Sequence, residues 1–159
     1  MLIKLETFIK APINICFDLS RSIDLQKIIA GDSREKVVDG TTSGLISLNE
    51  CVIWEASYFG IKQRMIFKIT EMGYPDHFID EMIEGNMKIL KHVHILKKEN
   101  SGTLLVDHVE FESKFGIIGK VIDQIIVAKQ LKKHLIERNH MIKQYAETEK
   151  WKGLINCED

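Results

Sequence analysis

The sequence is short of most features that would assign a chain to a specialised class. Its cysteines, Cys16, Cys51 and Cys157, are odd in number and show no C-x-x-C spacing. That excludes a disulfide framework and makes reduced thiols in a cytoplasm the expected state. Charge of one sign is not in excess: 22 Lys and Arg stand against 23 Asp and Glu, for a net charge of −1. Nothing in that balance calls for nucleic acid or an anionic membrane surface as a partner. No apolar run reaches the roughly 18 residues that stable membrane insertion needs. The opening MLIKLETFIKAP carries charges and no long apolar stretch, so it does not read as a secretory signal. Internal repeats, low-complexity segments and linkers are absent as well. What is there is an ordinary globular composition, 45% hydrophobic and 28% charged over 159 residues. It predicts one domain with one core over 1–150 and an aperiodic C-terminal tail over 151–159.

The pattern changes along the chain. Residues 2–9 alternate apolar and polar and predict a strand. Pro12 then opens one or two short helices through INICFDLSRS and IDLQKII. Residues 31–44 are polar and punctuated by glycine, which predicts a loop with a short strand at KVV. From Leu45 onward strands follow one another, separated by FG at 59–60, YPDH at 74–77, GN at 85–86 and ENSG at 99–102. Such a succession is an antiparallel meander. From about Ile117 to Glu149 the period becomes helical, with Ile118, Ile122, Ile125, Leu131, Leu135, Ile142 and Tyr145 on one stripe. A helix of that length is roughly 45 Å long, enough to cross a small sheet.

The hairpin around ENSG carries the most chemistry. If Lys98 pairs with Thr103, alternation sets His94 opposite Asp107, His92 opposite Val109, Leu96 opposite Leu105 and Leu90 opposite Phe111. The other face then pairs Lys91 with Glu110, as a solvent face should. The GN hairpin extends the inner face, with Asp80 opposite His92, Phe78 opposite His94 and Met82 opposite Leu90. The FG turn pairs Tyr58 near Ile61, Ala56 near Gln63, Trp54 near Met65 and Val52 near Phe67, which supplies an aromatic-rich wall. An apolar concave surface thus surrounds an island of Asp80, His92, His94 and Asp107, whose members must partner one another if they are buried.

Taken together, FIDEMIEGNMKILKHVHIL, GTLLVDHVEFESKFGIIGKVID and LIERNHMIK resemble the START-like, SRPBCC superfamily, which includes birch-pollen allergen relatives and polyketide cyclase/dehydrase-like proteins. The likeness is greatest to its bacterial ligand-binding branch. The motif positions are Asp80, Glu81, Met82, Gly85, His92, His94, Thr103, Asp107, Gly116 and Gly119; Asn86-Met87 departs from the proline and aromatic of that pattern. The resemblance implies an α+β helix-grip fold: a strongly curved antiparallel sheet wrapped around a long C-terminal helix, with two short helices after the first strand. It also implies a cavity between sheet and helix that holds a small hydrophobic or lipid-like ligand. Neither a cofactor nor a metal is expected.

Fold alone does not assign function. The island is open to three readings: a satisfied polar network that braces the cavity, a recognition site for a ligand carbonyl or hydroxyl, or acid/base or metal chemistry. Binding without catalysis is the leading expectation, through Trp54, Tyr58, Gln63, Met65, Phe67, Phe78, Asp80, Met82, Leu90, His92, His94, Asp107, Phe111 and Ile122. The alternative is a cyclase, aromatase or dehydratase using His92, His94 and Asp107 as a general acid/base set. No third histidine or cysteine completes a zinc site. GTTSG lacks the lysine of a phosphate loop, and no serine sits in a nucleophile elbow.

Overall fold

The computed structural model describes residues 1–31, 35–58, 61–114 and 126–155, with the side chains of 57, 58 and 61 outside that description. Strand β1 (Leu2–Ile9) leads to helices α1 (Ile13–Ser20) and α2 (Ile23–Ala30). Then come β2 (Glu35–Gly40), β3 (Cys51–Tyr58), β4 (Ile61–Gly73), β5 (His77–Glu84), β6 (Met87–Glu99) and β7 (Gly102–Ser113). The C-terminal helix α3 covers Ala128–Ala146. The predicted helix entry at 115–119, the loop at 59–60 and the stripe residues Ile118, Ile122 and Ile125 lie outside the described residues.

All seven strands form one antiparallel sheet in the order β1-β7-β6-β5-β4-β3-β2. Six consecutive strands form the meander, and β1 closes on its far edge against β7. Bulges at Val37/Asp39, Ile66/Phe67, Ile69/Glu71 and Met87/Ile89 interrupt the ladder. An extra residue on one side of a pair bends the strand and increases its twist, which is how a flat ladder becomes a concave one. The short KVV strand is longer than predicted and pairs with β3, while Gly40 and Gly44 hold positive φ in the loop that follows.

The two short helices are separate because Ser22 starts a new one: its Oγ accepts a hydrogen bond from Leu25 N at 3.2 Å. Their buried faces bring Phe17, Leu19, Ile23 and Leu25 to the same core as Ile9, Phe78, Leu96, Leu105 and Ile142. A second cluster, Val109, Phe111 and Leu135, sits under the beginning of α3. Of the tail read from sequence over 151–159, the described residues 151–155 are packed, and 156–159 lie outside the description. Glu149–Gly153 form a 3₁₀ turn and Ile155 is buried in the main core beside Trp151 and Leu154. These three apolar side chains suffice to dock a segment that has no period.

Candidate functional site

The sheet's inner face, α2 and α3 enclose a cavity of about 440 Å³. Strict alternation on β3 and β4 sends Val52, Trp54, Met65, Phe67 and Ile69 into it. Met82 and Leu90 continue the apolar wall, and Leu131 and Leu135 of α3 close it from the other side. A polar cluster in the lining, Asp80, His92, His94 and Arg138, sits where β5 and β6 meet α3.

The hairpin registers place that cluster as alternation requires. His94 pairs with Asp107 across β6 and β7, and Asp80 pairs with His92 across β5 and β6. The side chains bond diagonally, however. His92 Nε2 lies 2.7 Å from Asp107 Oδ1, and His94 Nε2 lies 2.8 Å from Asp80 Oδ2. The two imidazoles overlap with centroids 3.6 Å apart, and Phe78 stacks on His94 at 4.0 Å. Two residues of α3 complete the network. Arg138 Nη1 donates to Asn139 Oδ1 at 2.9 Å and reaches Asp107 Oδ1 at 3.5 Å, while Nη2 donates to Ser20 O at 3.1 Å and to His94 Nδ1 at 3.2 Å. Asn139 Nδ2 donates to Asp107 Oδ2 at 2.6 Å and to Thr7 Oγ1 at 3.1 Å.

These bonds assign the tautomers. His94 Nε2 donates to Asp80, and its Nδ1 faces the Arg138 guanidinium at 3.2 Å. Asp107 Oδ1 also lies 3.1 Å from His94 Nδ1. His92 gives Nε2–H to Asp107, a carboxylate that Asn139 and Arg138 also face. The electrostatics follow. Burial pushes His92 down to about 4, helped by His94 beside it and only partly opposed by Asp107 and Asp80. Burial would raise Asp107, but the contacts with His92 and His94 and the charge of Arg138 outweigh it and hold the carboxyl well below the usual range. Asp80 is lowered in the same way: burial acts upward, while the hydrogen bond from His94 and the charges of His92, His94 and Arg138 prevail.

Of the residues singled out in the sequence, the structure brings Trp54, Met65, Phe67, Phe78, Asp80, Met82, Leu90, His92 and His94 to the cavity wall. Asp107 is fully buried behind His92, not on the surface of the cavity. Phe111 is fully buried in the cluster with Val109 and Leu135, because α3 packs down on that end of the sheet. Gln63 shares its face with Met65 but lies off the described wall. The Tyr58 side chain and Ile122 lie outside the described residues. Arg138 and Asn139 were missed, although a signal was present. Both fall on the helical stripe between Leu135 and Ile142, and polar residues on a buried stripe demand partners. His134, read as outward, is exposed yet contributes to the cavity's rim. Cys16 behaves as a small buried hydrophobe: burial pushes its thiol up to about 11.

Asp80, His92 and His94 present candidate ligand atoms within 4.8 Å of one another, a two-histidine, one-carboxylate set. In this arrangement the set is occupied with itself. His94 meets Asp80 through Nε2 and both Arg138 and Asp107 through Nδ1, so each of its nitrogens already faces a protein partner.

No protein-family model and no curated protein matches the chain. Solved structures match it in shape. TTHA0849 from Thermus thermophilus superposes with a TM-score of 0.71 at 17% identity, over 92% of this chain and 97% of that one. KanY gives 0.70 at 9% identity, over 93% and 98%. Ginseng major latex-like protein 151 from Panax ginseng gives 0.67 at 13% identity, over 93% and 98%. The chain shares the helix-grip fold of these structures. At these identities the likeness is one of fold, so the helix-grip cavity must be judged from its own wall. Among the described residues of this helix-grip chain, no helix is long and apolar enough to cross a membrane.

Proposed function

We propose that the protein binds a small apolar molecule in the cavity between sheet and α3, in the cytoplasm, without catalysing a reaction on it. The observation that carries this reading is the division of the wall. An apolar surface of Trp54, Met65, Phe67, Met82 and Leu90 faces one compact polar island. A mostly apolar pocket with a few placed polar groups is the general form of a small-molecule site.

The electrostatics favour binding over chemistry. A general base works best with a pKa near the operating pH, and His92 at about 4 is a weak base there. Asp80 and Asp107, both held low, carry no proton to give at neutral pH. A cyclase- or dehydratase-type enzyme is the second reading. It has one observation in its favour: Asp107 fixes the Nε2–H tautomer of His92, as an orienting carboxylate does for a catalytic histidine.

Native mass spectrometry of the purified protein, followed by solvent extraction, tests the proposal. We expect a bound lipid-like mass that leaves the protein chemically unchanged. Leu90→Trp, which fills the cavity, should lower affinity for an apolar probe at least tenfold with thermal stability retained. Undiminished affinity in that variant would sink cavity binding. Release of a converted product, abolished by His92→Ala, would establish the enzyme instead.

A further inference from the structure

The polar island can be audited donor by donor, and its hydrogens are nearly all consumed internally. Both hydrogens on Arg138 Nη1 have acceptors in Asp107 and Asn139, and both on Nη2 have acceptors in Ser20 O and His94 Nδ1. The guanidinium fork that would grip a ligand carboxylate is therefore already closed. The two hydrogens of Asn139 Nδ2 go to Thr7 and Asp107. The Nε2–H of His94 goes to Asp80, that of His92 goes to Asp107, and the Ser20 hydroxyl donates to Cys16 O at 2.7 Å.

Apart from the Nε–H of Arg138, what the island has left are acceptors. His92 Nδ1 is a lone pair with no partner among the described residues, and the second carboxylate oxygen of Asp80 is likewise unengaged. Neither atom is sealed from solvent, and both residues line the cavity. Charge points the same way. Asp80 carries a negative charge on the described wall, and Arg138, its one cation, is matched by Asp107 directly behind. Of the other polar residues of the wall, Ser20, Gln26, Asn86 and Gln130 are neutral, and burial lowers the pKa of His134.

We infer that the cavity takes an apolar molecule whose polar end donates hydrogen bonds, a hydroxyl or a protonated amine, and rejects one ending in a carboxylate. A hydroxyl can donate to His92 Nδ1 or to Asp80. An ammonium can donate to both and neutralises Asp80 as it does so. A carboxylate brings only lone pairs to lone pairs, beside an existing negative charge, and has to be desolvated without recompense.

This rests on the cavity being a binding site, as proposed above. Isothermal titration calorimetry at pH 7.5 with decylamine, 1-decanol and decanoate separates the two ideas, because the three probes share one alkyl chain. We expect decylammonium to bind tightest, 1-decanol next, and decanoate at least tenfold more weakly than 1-decanol. Asp80→Asn should cost the amine at least tenfold more than it costs 1-decanol, because only the amine loses a charge partner. Decanoate binding as tightly as 1-decanol would overturn the donor inference and leave cavity binding standing. Failure of all three to bind would overturn cavity binding itself. The wild-type rank order needs no variant, so a poorly folding Asp80→Asn would not spare the inference.

Discussion

Lys91 and His92 are neighbours on β6, and each is paired with a carboxylate from an adjoining strand, yet the two pairs belong to different regimes. Lys91 Nζ meets Glu81 Oε1 at 2.9 Å on the outer face, with 38% and 34% of the two side chains exposed. His92 Nε2 meets Asp107 Oδ1 at 2.7 Å on the inner face, where Asp107 has no exposure at all. The distances are nearly equal. What differs is the surrounding medium. Outside, water and salt screen the attraction and offer both partners an alternative. Inside, removing one partner leaves the others stranded, because Arg138, Asn139 and His94 are arranged around Asp107 and are themselves buried. Pair geometry alone is a poor guide to energetic weight.

Several substitutions can break or sharpen this contrast. The largest effect should come from Asp107→Ala, which strands the Arg138 guanidinium and is expected to cost about 3–5 kcal/mol in urea denaturation. A loss below about 1 kcal/mol would put the inner pair in the same class as the outer one. Joint replacement of Asp107 by Leu and Arg138 by Met should recover much of that loss, since an apolar pair removes both charges together.

Acidification comes next. His92 has a folded value of about 4 against an ordinary 6.5, so between those limits the unfolded chain takes a proton that the native state refuses. Stability should therefore decline as pH falls from about 6.5 to about 4, by up to about 3 kcal/mol from this group. Urea midpoints across that range should show the decline, and His92→Gln should flatten it. Asp80 and Asp107, whose folded values are depressed, add a loss that begins only as pH falls below the unfolded carboxylate value of roughly 4. The smallest effect is expected from Lys91→Ala: a change within about 0.5 kcal/mol, reduced further by added salt. A larger, salt-insensitive loss would show that the outer pair has been misjudged.

Much of this arrangement was legible in the chain because strand pairing is local. A short turn fixes register, and period-2 alternation then fixes the face. From ENSG alone one obtains His94 against Asp107, and from GN one obtains Asp80 against His92. Two things were not legible there. Side-chain bonds need not follow the Cα ladder, since His92 reaches Asp107 diagonally; nor does one hairpin say which neighbour a side chain takes, since Lys91 stands opposite both Glu81 on β5 and Glu110 on β7 and bonds Glu81. Nor does a hairpin report what docks upon it. Arg138 and Asn139 could be read as polar residues on a buried stripe, but which island they meet depends on how α3 slides along the sheet, a matter of long-range packing. The same holds for Ile155, which is buried by contacts with distant residues rather than by any period of its own.

The hydrogen bond from Arg138 to Ser20 O joins residues 118 positions apart, and it belongs to the same network as Asp80, His92 and Asp107. Contacts of such separation form only once loops of that length have closed, at an entropic cost that local contacts do not bear. The island is thus expected to assemble on the native side of the folding barrier. In stopped-flow kinetics Asp107→Ala should then steepen the escape from the native state and leave the folding limb of the chevron within about twofold. The buried network would govern how long each folded molecule lasts more than how quickly it is made.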